Sequence, residues 1–144
     1  MNIVDILIEK RFNYGNENTN LHAATFVEKS SSNISDIKIG VNTYRQRYSN
    51  SRIKIHAEID ALKKCKFRNH VMVDLFVIRI NRNKELKGSK PCAHCIRELK
   101  SKKFLKIRNL YYSTDSGEID CVKFDKFSND YITRSWENIR KPNY

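Results

Sequence analysis

Apolar positions recur along the chain at two spacings, one helical and one extended, and between them they set out its predicted elements. Met1 to Phe12 sets Ile3, Ile6, Leu7 and Ile8 against Asp5, Glu9, Lys10 and Arg11, the pattern of an amphipathic helix. Leu21 to Glu28 alternates as a strand, with Ala23, Thr25 and Val27 on one side and Ala24, Phe26 and Glu28 on the other. Lys29 to Asn33 reads as a turn. A second strand through Ile37, Ile39 and Val41 to Tyr44 then closes a hairpin with the first. Gln46 to Arg52 shows no period and reads as a basic loop. The helix beginning near His56 is expected to bury Ile59, Leu62 and Cys65 and to expose Asp60, Lys63 and Lys64.

Val71 to Ile80 is almost continuously apolar, as expected of a strand covered on both faces. After a loop over 81–90, Pro91 opens a second short helix, since proline suits the first helical position. Ile96 and Leu99 carry its buried stripe, with Arg97, Lys100, Lys102 and Lys103 outward. Ile107 to Ser113 is a further strand, Thr114 to Gly117 a turn, and Glu118 to Phe124 a last strand. Asn129 to Ile139 reads as a closing helix anchored by Tyr131, Ile132, Trp136 and Ile139. The order α-β-β-α-β-α-β-β-α places the chain in the α/β class, as one domain over 1–144. The turn between the last two strands is too short for a parallel crossover, so these strands are predicted antiparallel.

Chemistry concentrates in two places, His56-Ala57-Glu58 and Pro91-Cys92-Ala93-His94-Cys95. His56, Cys92 and Cys95 offer one imidazole and two thiolates, a ligand set suited to Zn²⁺. Three protein ligands leave a coordination position for water, which is the stoichiometry of a catalytic zinc. Glu58 stands two positions past the imidazole, able to reach such a water without binding the metal. A closed structural zinc would need a fourth ligand from Cys65, His94 or Cys121. Helical geometry turns Cys65 to the face opposite His56 and carries His94 about 100° from Cys95.

This H-x-E…P-C-x-x-C arrangement resembles the zinc-dependent cytidine and deoxycytidylate deaminase superfamily. The resemblance implies a three-layer α-β-α cytidine deaminase-like fold with a mixed five-stranded sheet. It implies one Zn²⁺ per chain and hydrolytic conversion of a cytosine base to uracil in a nucleoside or nucleotide. Glu58 would be the catalytic proton carrier, and a homo-oligomer is the common assembly. An antiparallel final hairpin is typical of the free-nucleoside members, whereas tRNA adenosine and polynucleotide cytidine deaminases place a helix there. Asn42, Ala57 and Lys90 occupy positions of substrate contact. Asn42 is equally readable as a turn residue, and Lys90 as a solvent-facing lysine. Tyr44 departs from the glutamate that free-nucleoside deaminases often carry, and Lys90 from their serine.

Charge widens the range of substrates. Lys and Arg total 28 against 16 Asp and Glu, a formal net charge of +12, which favours anionic partners. Arg45, Arg47 and Lys90 are candidate phosphate contacts, and Phe12 and Tyr14 candidate walls for a base. Two other functions therefore stand beside deamination of a nucleoside or nucleotide. One is editing of single-stranded RNA or DNA, tRNA included. The other is a non-catalytic, zinc-stabilised nucleic-acid-binding module. Hydrophobic residues at 40% suit a globular chain, and no apolar run is long enough to span a bilayer. With no export signal visible and two of the four cysteines in the motif, reduced thiols and an intracellular, cytoplasmic setting are expected, with no membrane partner. Cys65 and Cys121 are expected as small buried hydrophobes.

Overall fold

The structure is a computed structural model that describes residues 2–14, 21–28, 37–46, 52–65 and 71–127. Three helices appear among them: α1 (Ile3–Tyr14), α2 (Ala57–Lys64) and α3 (Ala93–Lys100). The strands are β1 (Leu21–Glu28), β2 (Gly40–Val41), β3 (Thr43–Gln46), β4 (Arg52–Ile55), β5 (Val71–Ile80), β6 (Leu86–Lys87), β7 (Leu105–Ser113) and β8 (Ile119–Lys123). A 3₁₀ turn, Phe124–Lys126, follows the last strand. The expected turn at 29–33 and the expected helix at 129–139 lie outside the described residues.

The main sheet is mixed and open, in the order β2-β1-β5-β7-β8, with β6 paired to one end of β5. The long apolar run of β5 takes the centre. It pairs antiparallel with β1 from Leu21↔Ile80 to Glu28↔Val73, and parallel with β7. The register of β5 on β7 shifts between Val73 and Leu75. Asp74 fills that irregularity, accepting the Asn109 backbone N–H at 3.2 Å and pairing with Arg108 at 2.8 Å. The turn Thr114–Gly117 closes β7 on β8 as an antiparallel hairpin, and Gly117 supplies a φ of +83° that glycine adopts readily. The β1–β2 pairing expected from the hydrophobic pattern is also present, with Ala23 opposite Val41.

Alternation along β5 divides the interior. Val73, Leu75 and Val77 join Ala57, Ala61, Ile96, Leu99 and Leu110 on the side of α2 and α3. Ile78 and Ile80 join Leu7, Leu21 and Ala23 on the side of α1. The central strand is thus covered on both faces, as its composition requires.

Four sequence expectations need correction. Gln46 and Arg52, the ends of the expected basic loop, are instead strand residues, since β3 and β4 form a separate antiparallel ribbon through Thr43↔Ile55 and Gln46↔Arg52; 47–51 lie outside the described residues. The buried face of α2 is Ala57, Glu58 and Ala61, while Ile59 and Leu62 are only partly buried. Gly40 explains this, because a Cβ there would overlap the backbone nitrogen of Ala61 and the backbone oxygen of Ala57. The helix lies so close to β2 that only small residues fit beneath it. Arg11, expected on the charged side of α1, is fully buried, and Cys121, expected in the interior, is exposed on β8.

Candidate metal centre

Each half of the motif is presented by the start of a short helix. His56 is the N-cap of α2 and Cys92 the N-cap of α3, both in extended backbone conformation. Their carbonyls accept the first helical bonds, from Asp60 at 3.0 Å and Ile96 at 3.1 Å. Pro91 therefore stands outside α3, one position before the cap, and Ala93 is the first helical residue. Capping at Cys92 turns Cys95 inward within the first turn of the same helix. Two helix N-termini with their partial positive charge thus face the cluster, a setting that favours thiolates.

His56, Cys92 and Cys95 come together closely enough to hold a metal ion, their ligand atoms all within 4.8 Å of one another. The Nδ1 of His56 lies 3.2 Å from the Sγ of Cys95 and 3.5 Å from the Sγ of Cys92. Tetrahedral zinc, with bonds of about 2.3 Å to sulfur and 2.0–2.1 Å to nitrogen, would set each sulfur about 3.5 Å from the nitrogen. The donors and their spacing fit. Among the described residues, no fourth histidine, cysteine or carboxylate joins the cluster. Cys65 instead points its Sγ to the Lys38 carbonyl at 3.6 Å, and Cys121 is exposed on β8. His94 is half-buried on α3.

The electrostatics separate the two cysteines. Hydrogen bonding with Cys95, aided by His56 and opposed by burial, brings Cys92 down to about 4. Cys95 is pushed well above the usual thiol range by that same hydrogen bond and by burial. Without metal the pair is thus one thiolate and one thiol sharing a proton. Glu58 is buried in the first turn of α2, and burial raises its carboxyl pKa against the lowering influence of His56. Cys95 is within hydrogen-bonding reach of it, so the carboxyl group sits beside the cluster.

The remaining expected site residues divide. Asn42 is buried, and its Oδ1 accepts from Arg11 at 3.1 Å and from the His22 backbone N–H at 3.0 Å. Ala57 is the buried first residue of α2. Lys90 is exposed, its Nζ 5.6 Å from the centre of the Phe127 ring. Phe12 and Tyr14 are exposed on α1, beneath Lys84 and Lys64 respectively, and do not join the cluster. The Arg47 side chain and those of Tyr44 and Arg45 lie outside the description.

Residues that pattern alone did not single out hold the cysteine segment in place. Ser89 is buried and donates to the Val77 carbonyl at 2.8 Å, while its Oγ accepts from the Ser113 backbone N–H at 2.9 Å. Ser113 Oγ donates to the Lys87 carbonyl at 2.6 Å and accepts from the Arg79 N–H at 3.1 Å. The two hydroxyls also meet at 2.7 Å. This network fastens the segment leading to Cys92 across the ends of β5 and β7. Asp60 does a similar service for α2, accepting from the Val41 N–H at 2.9 Å and pairing with Lys64 at 2.8 Å.

No protein-family model matches the chain, and no curated protein is similar to it at a significant level. No helix among the described residues is long and apolar enough to cross a membrane.

Proposed function

We propose that the chain is a zinc-dependent hydrolytic deaminase that converts a cytosine base to uracil in a nucleoside or nucleotide. The observation that carries this reading is the pairing of a three-ligand metal cluster with a buried carboxyl group beside it. A structural metal has no use for that carboxyl, and a buried acid without a task is destabilising. The helices support the reading too: α1 lies on one face of the sheet and α2 and α3 on the other, as a cytidine deaminase-like sandwich requires.

A zinc ion held by His56, Cys92 and Cys95 would supply Lewis acidity, bringing the pKa of a water down to about 7. Deamination adds water across the C4–N3 bond of cytosine, then releases ammonia and leaves a carbonyl at C4. On this reading Glu58 moves the protons. It takes one from the attacking water, delivers it to N3, and carries the next to the departing amine. Burial raises its pKa above the ordinary carboxylate range, which suits a group that must hold a proton as well as release it.

The test is to incubate zinc-loaded protein with cytidine, deoxycytidine, their monophosphates and single-stranded oligonucleotides, and to resolve products by mass. Glu58→Gln is expected to keep zinc and fold while losing about 10²–10⁴-fold in rate. A wild type that converts nothing on the panel, or a Glu58→Gln variant of full activity, overturns the proposal. The first of those results returns the chain to a zinc-stabilised binding module.

A second reading, deamination within single-stranded nucleic acid, is favoured by lysines gathered near the cysteine motif. Lys90 and Lys100 both reach Phe127, and Lys126 is exposed beside it. Polymer binding would weaken with salt at a log–log slope of about −0.7 per phosphate contact, and binding of a mononucleotide much less steeply.

A further inference from the structure

We propose that the sheet face turned away from the metal cluster is a docking surface for single-stranded nucleic acid. The helices α2 and α3, which carry the cluster, cover one face, and α1 packs on the other against Leu21, Ala23, Ile78 and Ile80. Towards the starts of β5 and β7, the α1 face carries a different set of side chains. Phe76 and Tyr111, paired directly across β5 and β7, stack at 4.4 Å with an interplanar angle of 5°, and both are half-buried. Two residues before Phe76, and so on the same face, Asp74 accepts from Arg108 Nε at 3.2 Å and from a terminal nitrogen at 2.8 Å. Leu105 and Ile107 are buried on the α2–α3 side, so Lys106 projects from the other, opposite Met72. Val122 likewise packs on the α2–α3 side, which turns Lys123 to the face of Arg108. Lys106 and Lys123 are exposed and make no ion pair among the described residues.

Three cations thus flank an aromatic pair, and one carboxylate answers them. A sheet face that meets only water carries polar side chains, and one that is buried carries apolar ones. This face mixes rings with charges. Cations alone would take any polyanion, and rings alone any apolar group. Single-stranded nucleic acid offers both together, phosphates for the cations and open base faces for the rings. A duplex brings the charge but keeps its bases stacked inside. An anionic bilayer calls for apolar side chains that enter it, whereas these rings stand half-buried on the sheet. Because the surface and the metal cluster lie on opposite faces, this inference stands apart from the deaminase reading: binding here needs neither zinc nor Glu58.

The experiment is fluorescence anisotropy of a labelled oligothymidine strand with zinc-loaded full-length protein over a range of salt. Wild type is expected to bind with a log–log salt slope of about −1.4 to −2.1, two or three phosphate contacts at about −0.7 each. The double variant Lys106→Glu/Lys123→Glu should weaken binding at least about tenfold and flatten that slope. Tyr111→Leu keeps an apolar side chain without a stacking ring, and should weaken binding at least about fivefold at an unchanged slope. Lys63→Glu/Arg82→Glu makes the same change of net charge at exposed positions elsewhere, and should bind much as wild type does. Glu58→Gln should do the same. Absence of binding by wild type, equal losses in the two charge-reversed pairs, or full binding by Tyr111→Leu overturns the inference. So does tighter binding to duplex of the same length or to phosphatidylserine vesicles, which would give the face another partner. Should Tyr111→Leu fail to fold by circular dichroism, the charge-reversed pairs, all at exposed positions, decide. A protein that binds in this way yet deaminates nothing loses the deaminase reading and keeps this one.

Discussion

Replacing Ser113 with alanine removes one oxygen from the junction that ties the cysteine segment to the sheet. Ser113 is 1% exposed, and its hydroxyl serves the Arg79 N–H at 3.1 Å and the Lys87 carbonyl at 2.6 Å. Ser89 keeps its bonds to the Val77 carbonyl and the Ser113 N–H, so it is not stranded. Two backbone groups lose their partner. At about 1–3 kcal/mol for each buried group left unsatisfied, the loss should be about 2–6 kcal/mol, nearer the low end if water reaches one of them. Urea unfolding of wild type and Ser113→Ala, with and without zinc, measures this directly. Because Lys87 and Ser89 lead into Cys92, the variant should also bind zinc about tenfold or more weakly in a chelator competition. A Ser113→Ala protein within about 0.5 kcal/mol of wild type would refute the reckoning of orphaned groups. One that is destabilised yet binds zinc normally would show that the junction supports the sheet and not the ligand.

Other perturbations follow from the same contacts. Gly40→Ala should lose about 3 kcal/mol or more and reduce zinc occupancy, since the added methyl must push α2 and His56 away from β2; wild-type stability would contradict the close approach. In zinc-free protein the thiolate of Cys92 should make stability depend on pH. Its folded pKa, about 4, lies below that of an unfolded thiol, about 8.5. The contribution is therefore lost as pH falls towards about 4 and grows as pH rises to the unfolded value. The stability gap between wild type and Cys92→Ser should widen over that interval, and a constant gap would argue against a low thiol pKa.

Regular patterns were legible in the chain, and close approaches were not. Leu21–Glu28 and Val71–Ile80 match their predicted spans because apolar side chains fill them and polar or turn-forming residues follow. The β3–β4 ribbon was hard to read because each strand is only four residues long, too short for the Arg52-Ile53-Lys54-Ile55 alternation to stand out from a basic loop. On α2 the large residues Ile59 and Leu62 suggested the buried face, yet the distance to β2 selected Ala57 and Ala61. Spacing cannot report that distance; the signal was Gly40, a residue without a side chain. The ligands His56, Cys92 and Cys95 were readable because metal chemistry restricts both residue type and spacing. Arg11 was not, since a lone charge on an amphipathic helix looks like any solvated one. Cys121 misled for the converse reason: a small thiol reads as core, but its strand is the edge of the sheet and shows that side to water.

The placement of the cysteines also grades them by reactivity. Cys121 is open to solvent, Cys65 is partly covered and made less acidic by burial, and Cys92 and Cys95 are enclosed at the cluster. An alkylating reagent should therefore count them in order: Cys121 first, Cys65 slowly, and the motif pair only when no metal occupies it. Cys92 would then be the faster of that pair, as the one that is already a thiolate. The chain thus carries an internal reference thiol beside its metal-sensitive ones, and the same exposure makes Cys121 the place where two chains would become joined in an oxidising solution.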